Sequence, residues 1–327
     1  MARLRVRNDI GVGQERSARK DVVGRRSCMK STWAVVLAGG EGSRLRGQTI
    51  DGTRIDRPKQ FVPLNGRTSL LGATLARAFR LVPRNHVVVV VASAHRPWWT
   101  PELRDIHPGN ILVQPLNRGT APALLLATDH ILNRDPDATI LVLPSDHGVE
   151  DELVLSRTLV AALRFVEDRH HRILLVGVTP THPETEYGWI VPAGRSDGVA
   201  YAVRDFVEKP GHDQAVQLME QGGLWNTFML AASGAALLDR FVEAAPSFAR
   251  HYLSELSRNG STEAALSGFY PTLQPRDFSR DLLAASPGSL GVIRLPLCGW
   301  TDLGTPRRVA AWLARRRITE DVAVACG

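Results

Sequence analysis

The sequence contains few of the groups that cross-link a chain or carry it into a membrane. Its 327 residues include three cysteines, Cys28, Cys298 and Cys326, which are far apart and form no Cys-x-x-Cys pair. A disulfide framework and a zinc site built on cysteine pairs are therefore excluded, and the pattern is typical of a reducing compartment. No apolar run approaches the roughly 20 residues that span a bilayer. These absences predict a cytoplasmic protein with no membrane partner.

Lysine is also scarce. Only four of the 40 basic side chains are lysines, and after residue 30 only Lys59 and Lys209 remain. Lysine carries a compact point charge, whereas the guanidinium of arginine is a planar fork, so the two are not interchangeable where an anion is bound. We interpret the two lysines as functional because each lies within a motif described below. The alternative is that two surface lysines remain by chance.

Basic residues are concentrated at the N-terminus. Residues 1–30 carry nine Lys or Arg against three acidic residues, which is +6 of the formal net charge of +7. This segment has few large apolar residues, so we predict a disordered basic arm over 1–30. A true start at Met29 and an arginine-rich targeting segment are alternatives. Because the rest of the chain is close to neutral, the sequence does not predict a nucleic-acid partner.

The chain after the arm alternates between apolar strands and helices. The predicted buried strands are 33–37, 87–92, 111–113 and 139–143. Such alternation is typical of an α/β protein, and we predict a Rossmann-like, doubly wound mixed sheet. Beyond residue 180 the pattern changes to period 2, which indicates a β-rich lobe. The strands predicted there are 184–192, 199–207 and 224–230.

A glycine-rich turn follows the first predicted strand. It contains Gly39, Gly40 and Gly42, and Arg44 comes two residues after the last of them. Glycines let backbone N–H groups approach an oxyanion closely because no Cβ intervenes. Arginine adds a forked cation that grips phosphate oxygens in pairs. The turn is a candidate polyphosphate cradle, although it is neither a P-loop nor a complete G-x-G-x-x-G motif.

A carboxylate follows the fourth predicted strand. Asp146 lies in the sequence Pro-Ser-Asp-His at 144–147. The carboxyl end of a central strand is where an α/β sheet places its ligands, and a carboxylate there is suited to Mg²⁺. A helix N-cap in a turn is an equally good interpretation of Asp146 taken alone.

Six motifs, in this order and spacing, resemble the sugar-phosphate nucleotidyltransferases over residues 31–316. They are LAGGEGSRL at 37–45, PKQF at 58–61, Asp146, FVEKP at 206–210, WN at 225–226 and WTDLG at 300–304. Within that superfamily, PKQF, NRGTAPA at 117–123 and PSDH at 144–147 look most like mannose-1-phosphate guanylyltransferases. The departures are Gly119, where that family usually has Asn, and Thr227-Phe228, where it usually has Ser-Gly. A polar segment at 47–57 is longer than usual, and we expect a mobile flap there.

The resemblance implies a fold of the nucleotide-diphospho-sugar transferase type and a reaction. A nucleoside monophosphate would pass from an NTP, with GTP as the leading choice, to a sugar 1-phosphate, with mannose 1-phosphate as the leading choice. GDP-mannose and pyrophosphate would be the products, and Mg²⁺ the cofactor. The same chemistry on glucose 1-phosphate with UTP, dTTP or ATP is an alternative, as is a non-catalytic regulatory protein that binds nucleotide sugars. Whether the protein forms a homo-oligomer is left open.

The resemblance also assigns regions and residues. The nucleotidyltransferase domain would be 31–317, with a nucleotide-binding half at 31–180, a sugar-phosphate-binding half at 181–317 and a tail at 318–327. The implied catalytic residues are Arg44, Lys59, Asp146 and Lys209, and the implied metal ligands are Asp146 and Asp302. The implied nucleotide-binding residues are Leu37, Ala38, Gly39, Gly40, Gly42, Ser43, Arg44, Gln114, Gly119 and Thr120. The implied sugar-phosphate-binding residues are Gly188, Glu208, Lys209 and Asn226.

Overall fold

The computed structural model describes residues 31–50, 53–64, 68–169, 172–194 and 198–325, with side chains described as far as residue 315. The predicted arm at 1–30 lies outside the described residues, and so do the last two residues of the predicted tail. Within the described part of the chain, no helix is both long and apolar enough to cross a membrane.

The described residues form eleven strands and nine α-helices. The strands are β1 (Thr32–Ala38), β2 (Thr49–Ile50), β3 (Thr53–Arg54), β4 (Val87–Ala92), β5 (Ile111–Gln114), β6 (Thr139–Pro144), β7 (Ile173–Val178), β8 (Gly188–Ala193), β9 (Tyr201–Glu208), β10 (Leu224–Ser233) and β11 (Leu290–Leu295). The helices are α1 (Leu70–Leu81), α2 (Arg96–Trp99), α3 (Thr120–Leu132), α4 (Glu152–Glu167), α5 (His212–Glu220), α6 (Gly234–Ala244), α7 (Pro246–Asn259), α8 (Glu263–Phe269) and α9 (Pro306–Ala325).

Nine of these strands form one mixed sheet in the order β5-β4-β1-β6-β10-β7-β11-β9-β8. The first four are parallel to one another, whereas β10 runs antiparallel to both β6 and β7. Strand β8 also pairs with β10, so the last five strands close into a small barrel-like sheet. This architecture confirms the predicted doubly wound mixed sheet with a β-rich lobe.

The central strands are buried on both faces because helices cover each side of the sheet. In β4, Val87, Val89 and Val91 belong to one apolar core and Val88 and Val90 to the other. All six residues of the strand are buried. A strand with two buried faces has no polar side, which explains the uninterrupted valine run.

Two segments differ from the sequence prediction. The expected flap at 47–57 contains a short hairpin of β2 and β3, and Ile50 and Ile55 are buried beside Trp312 in a third apolar cluster. Asp51 and Gly52 lie outside the described residues. The strand predicted over 184–192 begins only at Gly188. Oε1 of Glu184 accepts the backbone N–H of Glu186, and this hydrogen bond shapes the residues before Gly188 as a loop.

Candidate active site

A cavity of about 300 Å³ opens beside the ends of β1 and β6. Its wall brings together residues from all six motifs. The predicted site residues that line it are Leu37, Gly40, Gly42, Arg44, Lys59, Thr120, Asp146, Gly188, Glu208, Lys209, Asn226 and Asp302. A larger cavity of about 840 Å³ lies along α4 and contains none of the predicted site residues.

Five predicted nucleotide-binding residues do not line this cavity. Ala38 is buried within β1, and Ser43 lines a neighbouring cavity that also contains Arg44 and Lys59. Gln114 is buried, and its Nε2 donates to the hydroxyl of Tyr270 at 2.9 Å. The remaining two are glycines held close to other groups. A Cβ on Gly39 would lie 3.1 Å from Oε1 of Gln114, and one on Gly119 would lie 2.3 Å from the carbonyl oxygen of Arg276.

The glycine turn after β1 is held by the PKQF motif. Gly42 has φ of +57°, and a Cβ on it would lie 2.5 Å from the backbone nitrogen of Lys59. The Nε2 of Gln60 donates to the carbonyl oxygens of Ala38 at 3.1 Å and Gly40 at 2.7 Å. With these carbonyls occupied, the turn is fixed in one shape while the Cα of Gly40 faces open space. The role of Gln60 was not predicted from the sequence, although it lies within PKQF.

Lys59 connects the two predicted metal ligands. Its Nζ lies 3.1 Å from Oδ2 of Asp146 and donates to the backbone carbonyl of Asp302. Desolvation by the surrounding protein raises the pKa of the Asp146 carboxyl, but Lys59, His147 and a backbone hydrogen bond together lower it by more, so the pKa lies below its ordinary value. Burial likewise raises the pKa of Asp302, and Lys59, the N–H of Gly304 and Arg308 together lower it further than burial raises it. Both carboxylates are therefore ionised at neutral pH.

These two carboxylates fit a magnesium site that is completed by substrate. In the described ranges, no group of three or more His, Cys, Asp or Glu side chains is arranged to hold a metal. Mg²⁺ usually takes one or two carboxylates and draws its other ligands from phosphate and water. Asp146 and Asp302, ionised on the wall of one cavity, have the donor chemistry for that mode of binding.

The predicted sugar-phosphate residues form another part of the cavity wall. Lys209 has an unusual positive φ of 51°, and its side chain is 55% exposed. Its neighbour Glu208 is largely buried, and a Cβ on Gly188 would lie 2.6 Å from Oε2 of Glu208. Burial and the nearby Asp277 raise the pKa of Glu208 to about 7. Asn226 completes this wall and uses Oδ1 to accept the backbone N–H of Phe228.

Several cavity residues were missed by the sequence interpretation. Tyr187, Asp277 and Ser279 line the cavity, and so does Glu186, which pairs with Arg44 at 2.7 Å. Asp277 and Ser279 lie outside every motif, just before and at the start of a π-helical segment over Ser279–Leu283, so no local signal identified them. Glu186 and Tyr187 directly precede the predicted site residue Gly188, and this adjacency is the sequence signal that could have identified them.

Comparison with known proteins identifies the family. The sequence profile described as nucleotidyl transferase matches residues 33–316, which is most of the chain. The chain belongs to the nucleotidyl transferase family. One curated relative is the mannose-1-phosphate guanylyltransferase RfbM of Salmonella typhimurium. It is 34% identical to this chain over 219 residues, which cover 65% of this chain and 44% of that protein. The xanthan biosynthesis protein XanB of Xanthomonas campestris is 31% identical over 295 residues, covering 85% and 58%.

Solved structures support the same assignment to the nucleotidyl transferase family. A structure from Thermus thermophilus named mannose-1-phosphate geranyltransferase has a TM-score of 0.71 and 31% identity, covering 84% of this chain and 76% of that one. A UDP-glucose pyrophosphorylase has a TM-score of 0.55 with only 13% identity, which shows the fold alone. The chain spans about half the length of the curated relatives it matches.

Proposed function

We propose that the protein transfers GMP from GTP to mannose 1-phosphate, which forms GDP-mannose and releases pyrophosphate. A phosphate oxygen of the sugar phosphate attacks the α-phosphorus of GTP. The bond between the α-phosphorus and the bridging oxygen breaks, and pyrophosphate leaves with that electron pair. Transfers of this kind depend on positioning and charge neutralisation rather than on a protein nucleophile.

One observation carries the proposal: cations from distant parts of the sequence surround a single cavity. Arg44, Lys59 and Lys209 all line it together with Asp146 and Asp302. Two polyanions repel each other, so bringing them together requires concentrated positive charge. The relatives named mannose-1-phosphate guanylyltransferase, at about one-third identity, support the choice of GTP and mannose 1-phosphate.

Each group has a role in this proposal. The open face of Gly40 admits the triphosphate, and Arg44 stabilises charge on the α-phosphate and on pyrophosphate as it leaves. Lys59 lies beside the reacting phosphates, and Lys209 binds the phosphate of the sugar. Asp146 and Asp302 would hold Mg²⁺, which when bound supplies Lewis-acid stabilisation of the phosphate oxygens. We place the enzyme in the cytoplasm.

The second candidate is the same reaction on another pair of substrates, such as glucose 1-phosphate with UTP, dTTP or ATP. The fold is shared with a UDP-glucose pyrophosphorylase and with a structure named as a glucose-1-phosphate thymidylyltransferase, at 13% and 16% identity. Such similarity does not distinguish the bases. A non-catalytic binding protein is disfavoured because the charged groups that the transfer needs are all present.

Pyrophosphate release tests the proposal. The purified protein is assayed with GTP, ATP, UTP and dTTP, each against mannose 1-phosphate and glucose 1-phosphate, with and without Mg²⁺. We expect turnover to be fastest for GTP with mannose 1-phosphate and to stop when EDTA is added. Faster turnover of another pair would replace the substrate assignment, and no turnover of any pair would contradict the transferase assignment.

A further inference from the structure

The carboxylate of Asp302 is held by three donors on one of its oxygens. Oδ1 accepts the hydroxyl of Tyr187 at 2.8 Å, the backbone N–H of Gly304 at 2.9 Å and a guanidinium N–H of Arg308 at 3.0 Å. The other oxygen lies against Gly304, where a Cβ would approach Oδ2 to 2.5 Å. The carboxylate is thus fixed in one orientation with its two oxygens in different environments.

The donors are themselves fixed. Arg308 forms a second ion pair with Glu184, and its guanidinium carbon lies 4.7 Å from the ring centroid of Tyr187. Glu184 also accepts the backbone N–H of Glu186 and, through its carbonyl, the indole N–H of Trp189. The side chains of Arg308 and Glu184 are 18% and 10% exposed. We call Tyr187, Arg308 and Glu184 the Asp302 clamp.

The clamp lies outside the six motifs and is assembled from two distant segments. Glu184 and Tyr187 come from the loop before β8, whereas Arg308 lies in the first turns of α9. Only Tyr187 of the three also lines the cavity. So many polar contacts around a single carboxylate are explained most simply if the orientation of that carboxylate matters to a ligand.

We propose that Tyr187 and Arg308 are positioning residues for the divalent metal, and that they engage Oδ1 of Asp302 so that Oδ2 is the oxygen offered to the metal. The inference rests on the proposed function, in which Asp302 is a metal ligand. Partners that orient a ligating carboxylate typically change metal affinity 10- to 100-fold when removed. Tyr187 and Arg308 would act on the metal through their hydrogen bonds to Asp302.

Direct metal binding tests the clamp without relying on turnover. Full-length protein is placed in equilibrium dialysis against Mn²⁺, with inorganic pyrophosphate in both chambers because it is the leaving group whatever the base. Tyr187→Phe removes only the hydroxyl, and Arg308→Gln removes the guanidinium. We expect each variant to bind Mn²⁺ at least ~10-fold more weakly than the wild type, while Asp302→Asn sets the level without the ligand.

Two matched controls change an arginine and a tyrosine that lie away from Asp302. Arg315→Gln changes another arginine of α9, which pairs with Glu150 and does not contact Asp302. Tyr201→Phe changes a tyrosine on β9 that does not line the cavity. Both should bind Mn²⁺ as the wild type does. Thermal unfolding of all variants separates metal binding from a general loss of stability.

The outcomes distinguish the clamp from the function on which it rests. If the wild type and Asp302→Asn bind Mn²⁺ equally, Asp302 is not a ligand, and both the metal site and the clamp are overturned. If Asp302→Asn weakens binding but Tyr187→Phe and Arg308→Gln bind as tightly as the wild type, the clamp alone is overturned. Weaker binding in both clamp variants, with unchanged controls, supports it.

Discussion

The ammonium nitrogen of Lys59 lies 3.1 Å from Oδ2 of Asp146, although the two residues are 87 positions apart in the sequence, one before α1 and the other just after β6. The lysine side chain is 9% exposed and the aspartate 39%. A buried ammonium needs a partner, and the aspartate supplies it on the cavity wall. Under the proposed function, a metal held by Asp146 would leave this ammonium free to bind a phosphate oxygen. The pair therefore keeps a cation in place before the substrates arrive.

Asp146→Asn should remove metal-dependent turnover while the protein still folds, because the amide oxygen can still accept a hydrogen bond from Lys59. An amide cannot supply the charge that Mg²⁺ requires, and a bound metal contributes several kcal/mol to the transition state. A loss of ~4 kcal/mol corresponds to a roughly 10³-fold lower kcat/KM. Steady-state kinetics at several Mg²⁺ concentrations measure it, with the exposed Asp239→Asn on α6 as the control. A loss below ~10-fold would exclude Asp146 as a ligand.

Lys209→Arg should raise KM for the sugar phosphate while KM for the nucleotide stays the same. A hydrogen bond to a charged group contributes about 1.5–3 kcal/mol, so we expect a change of roughly 10- to 100-fold when the point charge is replaced by a wider fork. Initial rates with each substrate varied in turn measure this, with Arg204→Lys on β9 as the control. Full activity of Lys209→Arg would contradict the argument from lysine scarcity.

Gly40→Ala and Gly42→Ala should have different effects. The Cα of Gly40 faces open space, so the alanine variant should unfold at the same temperature as the wild type but bind the nucleotide more weakly. Gly42 has φ of +57° and no room for a Cβ, so its alanine variant should lose about 1–3 kcal/mol of stability. Thermal unfolding and nucleotide titration measure the two effects. Gly268→Ala, at another open glycine, is the control; equal behaviour of the two site variants would show that the turn is not held as described.

The raised pKa of Glu208 predicts how stability depends on pH. Its pKa rises from 4.5 to about 7 in the folded protein, mainly through burial and then through Asp277. The folded state therefore binds a proton that the unfolded state releases, and stability falls as pH rises from about 4.5 through 7. The linkage amounts to roughly 2–3 kcal/mol.

Glu208→Gln should remove this dependence. Compared with the wild type, the variant should gain stability as the pH rises from 5 to 8, because the neutral amide carries no penalty for burial. Urea unfolding at pH 5, 6, 7 and 8 measures the difference, and Glu220→Gln at the end of α5 is the control. A constant difference between wild type and variant across this range would show that Glu208 does not titrate there.

Local pattern was sufficient for the central strands and for the residues that carry the resemblance. The run at 87–92 was predicted with the observed bounds because an element buried on both faces has an unambiguous signal. Lys59, Lys209 and Asp302 were predicted by motif, and the cavity contains all three.

Contacts between distant segments could not be predicted in the same way. The segment at 47–57 is polar in sequence, yet Ile50 and Ile55 are buried because helix α9 packs beside the hairpin. The roles of Gln60 and Arg308 depend on carbonyl and carboxylate groups that approach them only after folding. Nothing in the sequence around Gln60 or Arg308 distinguishes either one from an ordinary surface residue.

Strand β10 limits how the protein can move around its substrates. It is bonded to β6 on one side and to β7 on the other, and β11 is also bonded to β7, so backbone hydrogen bonds of one sheet join the stretches 31–180 and 181–317. A hinge between the two stretches would have to break these ladders in the middle of the sheet. Any narrowing of the cavity must then come from surface loops and side chains. Fragments divided near residue 180 should fold only when they are produced together.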